Sequence, residues 1–369
     1  MSKRVNGSVL SGLPLLVLLL LVLTTSCGRG GNWTLPDDEH LLKLTASYDT
    51  LPFTYYFSHI DYVTLETSEE SLIYVVDKVI AGDSLIYLLD EMTRSILLFS
   101  AEGRFIARYV DLYGRRLNDF DVAGCGAVFA LLNNRILVEL DKDLNLLSEA
   151  RVPFLANSLI ALSSDRVLFY TDFFPGSQTE QGEESDLIIY NTRGGRVTPV
   201  LNTSPRAPVA SLQFGRQLYR SDKLIFSNPL TSELLYFTET GFSGVKRVDF
   251  TEIAGRDSGI ISHYYWTDAA YVKGNLLRIE ASAVTDDGFV GADLLYDFEE
   301  ERMVTALKKD YDGFFGLLPV RGVFPGGFIS AVHTDYINRN SRRLGRPAPS
   351  PLDNLEPGSN PVLLFYHLK

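Results

Sequence analysis

Short apolar runs separated by turn residues fill most of the chain. Leu85-Ile86-Tyr87-Leu88-Leu89 is followed by a turn, then Ile96-Leu97-Leu98-Phe99, then Ser100-Ala101-Glu102-Gly103, then Phe105-Ile106-Ala107. The first two runs have the length and β-branched or aromatic content of strands buried on both faces. The last alternates with Arg104 and Arg108, as a half-exposed strand does. Patterns of helical period are nearly absent.

The unit recurs. Residues 128–132 lead to 136–140, 167–170 to 187–190, 224–226 to 234–237, 276–279 to 294–297, and 328–332 to 362–366. Six units of about 40 to 55 residues, each with room for four strands, predict a six-bladed β-propeller. An irregular all-β sandwich is the alternative. The sixth unit ends after its third strand. A spare strand at 60–66 precedes the first unit, and pairing it with the last would complete the blade and remove an open edge. The prediction is therefore all-β, with four-stranded antiparallel blades and a ring closed by the N-terminal strand.

The start of the chain has another character. Lys3 and Arg4 precede an apolar run over 13–23, about half the ~20 residues needed to cross a bilayer. Small residues Thr24, Thr25 and Ser26 lead directly to Cys27. A basic start, short apolar core and small residues define a secretory signal that is removed. Leu23-Thr24-Thr25-Ser26-Cys27 resembles a bacterial lipoprotein processing box, with Thr24 where Leu is usual. The resemblance implies a diacylglyceryl group on the Cys27 thiol and acylation of the new α-amine, enough chains for stable anchoring. The expected organisation is a signal peptide at 1–26, a lipidated tether at 27–59 and the propeller at 60–369. Gly28-Arg29-Gly30-Gly31 reads as flexible.

Composition narrows the function. Loss of Lys3 and Arg4 takes the formal charge from −12 to −14. No basic cluster is available to follow phosphates, so nucleic acid is not an expected partner. With Cys27 used by lipid, Cys125 is alone and no internal disulfide can form. Its neighbours, Val122-Ala123-Gly124 and Gly126-Ala127-Val128, suggest a buried structural thiol.

A family likeness runs along most of the mature chain. Tyr62-Val63-Thr64-Leu65-Glu66-Thr67, Asp77-Lys78-Val79-Ile80, Ile86-Tyr87-Leu88-Leu89-Asp90, Ser95-Ile96-Leu97-Leu98-Phe99 and Gly103-Arg104-Phe105 resemble six-bladed β-propeller lipoproteins of Gram-negative bacteria, related to NHL-repeat and TolB-like propellers. The closing Asn360-Pro361-Val362-Leu363 is similar to how that family ends. The usual Gly-rich loop after the first blade reads Tyr113-Gly114-Arg115-Arg116-Leu117-Asn118-Asp119-Phe120 here, so functions tied to that loop do not transfer. The resemblance implies a fold more than an activity.

One face of the ring stands out. Long insertions at 171–186, 281–291 and 337–360 all fall between second and third strands. Long loops in compact domains are usually functional or disordered, and these open on the same face as the connections between blades. Candidate ligand-binding residues there are Tyr113, Arg115, Phe173, Phe174, His263, Tyr264, Tyr265, Trp266, His333, Asp335 and Tyr336, with Tyr311, Phe314 and Phe315 as further aromatics. Flat apolar rings with nearby charges suit sugars or peptide side chains.

No catalytic signature accompanies them. His-Glu-x-x-His, Cys-x-x-Cys, the P-loop and Gly-x-Ser-x-Gly do not occur. Five histidines leave little for a metal site, and no cofactor or catalytic residue is assigned. Asp119 with Asp121, and Asp172 with Asp186, read as turn and cap residues rather than an acid pair. The expected function is a lipid-anchored binding or assembly module of the cell envelope, at the outer membrane, with a glycan, peptide or envelope protein as partner. A propeller hydrolase or lyase acting on glycans or peptides is the alternative.

Overall fold

A computed structural model describes residues 33, 39–43, 50–171, 185–201, 217–228, 233–249, 263–285, 288–304, 306–307 and 314–369. Six blades, each built on four antiparallel strands, follow one another along the chain; five have those four strands in sequence order, as the repeat predicts, and the sixth takes its outer strand from the N-terminal side. Blade one is Lys78–Ala81, Leu85–Asp90, Ser95–Ser100 and Phe105–Val110. Blade two runs from Leu117–Val122 to Leu146–Arg151, blade three from Ser158–Ala161 to Val197–Leu201, and blade four from Leu218–Arg220 to Gly241–Asp249. Blade five runs from His263–Lys273 to Arg302–Val304. In blade six, Val320–Phe324, Gly327–Val332 and Val362–Leu368 are joined by Phe57–Thr64.

Packing explains the sequence pattern. In the second strand of blade one, Ile86 and Leu88 pack toward blade six with Ile329 and Leu363. Tyr87 and Leu89 pack toward blade two with Phe120, Val128 and Ala130. Alternate residues enter opposite faces of a strand, and here each face meets another blade. Both sets are therefore apolar, and the strand reads as an unbroken run. The outermost strands are only half covered, and Leu146–Arg151 is exposed along most of its length.

Ring closure follows the expected pairing. Phe57–Thr64 runs antiparallel to Val362–Leu368, with Thr64 opposite Val362, Tyr62 opposite Leu364 and His59 opposite His367. The strand begins three residues earlier than the sequence suggested. Phe57, Phe53 and Tyr366 form a buried aromatic group that fixes this start, with Phe53 and Phe57 stacked at 4.8 Å. The seam is tight. A Cβ on Gly322, in the innermost strand of blade six, would stand 2.2 Å from the carbonyl oxygen of Val79 in blade one. Gly103, at φ +84°, lets the last turn of blade one lie against the closing strand, where Glu66 N–H donates to its carbonyl at 2.8 Å.

Four features depart from expectation. Within 27–59, Glu39–Lys43 adds a parallel fifth strand to blade four, beside Gly241–Asp249. Trp33 packs on Phe237 and Phe242 of that blade at 5.8 and 5.3 Å. In blade five, residues 281–285 and 288–291 of the expected loop are paired strand: Leu276–Thr285 and Gly288–Asp297 stay in register from Leu276 opposite Asp297 to Thr285 opposite Gly288. The β-branched and aromatic residues Val284, Thr285, Phe289 and Val290 favour pairing over a loop. The blade six insertion contains a helix, α1 (Thr334–Leu344). Asp335 in its first turn and Arg342 and Arg343 in its last suit the helix dipole, and Gly345 at φ 65° ends it, with the N–H of Gly345 and of Arg346 returning to Arg342 and Ser341. Finally, Cys125 is exposed in the turn between Leu117–Val122 and Val128–Leu132, not buried.

Candidate functional site

The ring has two ends. One carries the turns between second and third strands and the links between blades; it is called the loop face here. The other carries the remaining turns and is called the turn face.

On the loop face of blade one, aspartates fix each connection. Asp90 Oδ1 accepts from the backbone N–H groups of Met92 and Thr93 at 2.9 and 3.0 Å, and its Oδ2 accepts from that of Tyr74 at 2.8 Å. Asp111 Oδ2 accepts from the N–H of Tyr113 and Arg115 at 3.1 and 2.8 Å. Arg115 then binds Asp111 Oδ1 through Nε at 3.0 Å and grips both carboxylate oxygens of Glu149 at 2.7 Å. Arg94 donates to the carbonyl of Gly114 at 2.6 Å. Burial pushes the Asp111 carboxyl up, but the Arg115 guanidinium outweighs it and holds the pKa below its ordinary value. Hydrogen bonding from Arg115 does the same for Glu149.

Those bonds leave apolar side chains in solvent. Leu112 is 95% exposed, Tyr113 82% and Met92 69%. Tyr74 and Val75, on the loop entering blade one, are exposed as well. The Arg115 guanidinium lies 5.0 Å from the Tyr113 ring centroid, covering part of it. Arg115 is thus a support for Tyr113 rather than a free binding group. Next along the ring, α1 carries exposed Arg339, Arg342 and Arg343, followed by exposed Arg346. The sector spanning blades six and one therefore joins apolar and basic side chains on one face.

The expected site residues divide. His333 is exposed at the N-cap of α1, Asp335 is exposed in its first turn, and Tyr336 is partly buried against the core. His263, Tyr264, Tyr265 and Trp266 do not lie in a loop. They belong to the first strand of blade five, paired with Val284, Ala283, Ser282 and Ala281. β-branched and aromatic content was the signal for a strand, and it prevails. Phe314 and Phe315 are fully buried in the core, not displayed. Cys27, Tyr311, Asp172, Phe173 and Phe174, with most of the 171–186 insertion, lie outside the described residues.

The ring centre holds an ionic network. Lys78 of blade one donates to Asp119 Oδ1 of blade two at 2.9 Å and to the Phe120 carbonyl at 2.7 Å. Asp119 Oδ2 accepts from Leu159 N–H of blade three at 3.0 Å, and Asp121 Oδ2 from Ala161 N–H at 2.9 Å. Arg220 of blade four meets Asp121 Oδ2 at 2.7 Å. Asp119 and Asp121 are buried strand residues that tie blades together, not turn or cap residues. Separate blades leave inner backbone N–H groups without a ladder partner, and an unpaired buried donor is costly. Carboxylates spaced i, i+2 on one strand face supply the acceptors. Within Asp119-Phe120-Asp121, that alternation was the available signal.

This geometry defines a six-bladed β-propeller with an aspartate-buttressed loop face. The chain belongs to the family described as Domain of unknown function (DUF4934), whose model matches residues 42–367. No curated protein matches it. Among solved structures, it is similar to the Bacteroides fragilis protein BF0058, whose export is a provisional assignment, with TM-score 0.65 and 12% identity over 90% of this chain and 100% of that one. It also matches a member of the DUF4221 family from Bacteroides vulgatus, with TM-score 0.43 and 12% identity over 85% and 97%. At such identities the likeness concerns the fold.

Proposed function

We propose that this chain is a non-catalytic docking module of the cell envelope, anchored through lipid on Cys27 and binding an envelope partner through the loop face of blades six and one. The carrying observation is the set Met92, Leu112 and Tyr113, exposed although the backbone of Met92 is held by Asp90 and that of Tyr113, next to Leu112, by Asp111. A backbone already fixed has little freedom left to lose on binding, and Tyr with Arg is typical of interface centres. The arginines of α1 favour a partner with acidic groups, protein or glycan. The commitment of Asp119 and Asp121 to inter-blade bonds weighs against channel hydrolysis by that pair.

The test compares cross-linked partners of the full-length protein with those of a Met92→Ser, Leu112→Ser, Tyr113→Ser variant. Leu146→Ser with Leu147→Ser, on the outer strand of blade two, is the control. The reading expects the partner lost from the first variant and kept by the second, both with wild-type circular dichroism. Equal capture by all three refutes it. Cys27→Ser should move the protein from the membrane fraction to the soluble one; unchanged fractionation refutes the anchor.

A further inference from the structure

We propose that His59, Asp61 and His367 form a binding site for a divalent transition-metal ion of the zinc class, built across the strand pair that closes the ring. His59 and Asp61 are two apart on Phe57–Thr64, so they share a face. His367 is the direct cross-strand partner of His59. Their imidazoles stack at 4.1 Å with an interplanar angle of 11°, and both Nε2 atoms approach one carboxylate oxygen. Asp61 Oδ2 lies 2.9 Å from Nε2 of His367 and 3.7 Å from Nε2 of His59, and the three candidate ligand atoms all lie within 4.8 Å of one another. Ligands about 2.0–2.1 Å from a tetrahedral zinc are roughly 3.3 Å apart. The two separations from Asp61 bracket that value.

A neighbouring hydroxyl can select the tautomer. Ser58 Oγ has a single proton, which it donates to the carbonyl oxygen of His367 at 3.2 Å. With that proton so placed, the 2.9 Å contact with Nδ1 of His59 is one in which Nδ1–H donates to Ser58 Oγ. Neutral His59 therefore presents the Nε2 lone pair toward Asp61. An acceptor facing a carboxylate is repulsive unless a proton or a cation sits between them. The Ser58 bond is also the kind of outer support that orients a ligating histidine. The Phe324 ring, 4.9 Å from His367 and nearly perpendicular to it, restrains the second imidazole.

Three protein ligands leave one position for water or a small ligand. Asp61 and His367 also line a cleft of about 190 Å³ between blades six and one, walled by Val63, Ile86 and Phe365. Because the ion would join the N-terminal closing strand to the C-terminal strand, its binding would stabilise the closed ring by linkage.

The experiment uses the full chain without a polyhistidine tag, titrated with Co²⁺ by visible absorption and with Zn²⁺ by calorimetry. One ion per chain, a cobalt spectrum of low coordination number and a melting temperature raised by a few degrees are expected. His59→Gln and His367→Gln should each weaken binding at least tenfold and remove the thermal shift; Ser58→Ala should weaken it less. His333→Gln should leave both unchanged. Absence of binding up to millimolar Zn²⁺, or equal binding by the His59 and His367 variants, overturns the proposal. Gln keeps size and polarity at these surface positions, and wild-type circular dichroism of each variant separates lost ligation from misfolding.

Discussion

Arg220 of blade four reaches past blade three to bind Asp121 of blade two, at 2.7 Å. The same guanidinium donates to the Ala161 carbonyl of the blade it passes. Asp121 is buried while Arg220 is partly exposed, so the two ends are unequal. Asp121→Ala removes the acceptor for both Arg220 and Ala161 N–H and should cost about 3–5 kcal/mol. Arg220→Ala leaves Asp121 its backbone donor and should cost about 2–3 kcal/mol. Chemical denaturation of both, with the double variant, should show a loss smaller than their sum.

Asn360 is a second tie, at the start of the final strand. Its Nδ2 donates to the carbonyls of Glu66 and Ser71 at 2.7 and 2.8 Å, and its Oδ1 accepts from Ile73 N–H at 2.8 Å. Asn360→Ala leaves three backbone groups to find other partners, at about 1 kcal/mol each. A stability loss of about 3 kcal/mol is expected, with faster amide exchange over 66–77. Asn360→Asp cannot donate and should behave nearly as badly.

The triad of Asp111, Arg115 and Glu149 gives a pH dependence of known sign. Both carboxyls have folded pKa values below their ordinary 3.8 and 4.5. Their stabilisation is complete above the unfolded values and is lost as pH falls through the folded ones. Denaturation midpoints of the wild type should therefore drop below pH 5, while Arg115→Gln should be less stable at pH 7 and flatter across pH 5 to 3. The Glu149 share is small, because that side chain is more than one-third exposed.

Trp33→Ala should release the added strand of blade four without unfolding the ring. The expected sign is new protease sensitivity within Glu39–Lys43, with the main thermal transition shifted by only a few degrees. Retained protection of that stretch would show that the Glu39–Lys43 pairing, not the indole, holds it.

Much of the ring was legible because strands buried on both faces leave unbroken apolar runs, as at 85–89 and 96–99. Closure was legible from an orphan strand and an incomplete final unit. Less was readable where alternation and loop composition compete. Residues 281–285 and 288–291 contain Ser, Thr and Gly, yet their mutual register keeps them in the sheet. Helix α1 was hidden because its buried side includes Thr334 and Asn340, polar residues satisfied by tertiary partners such as the Phe314 carbonyl. His59 and His367 lie at opposite ends of the propeller segment, and only the closing register brings them together.

The indole of Trp33 also sets a leash length. Five residues lie between it and Cys27, so the two are about 20 Å apart at full stretch. It rests against Phe237 and Phe242, which flank the turn-face end of blade four. With the proposed lipid in place, the propeller would be moored by that rim like a boat on a short line, its turn-face edge kept near the headgroups. The loop face would then point outward, away from the leaflet that holds it.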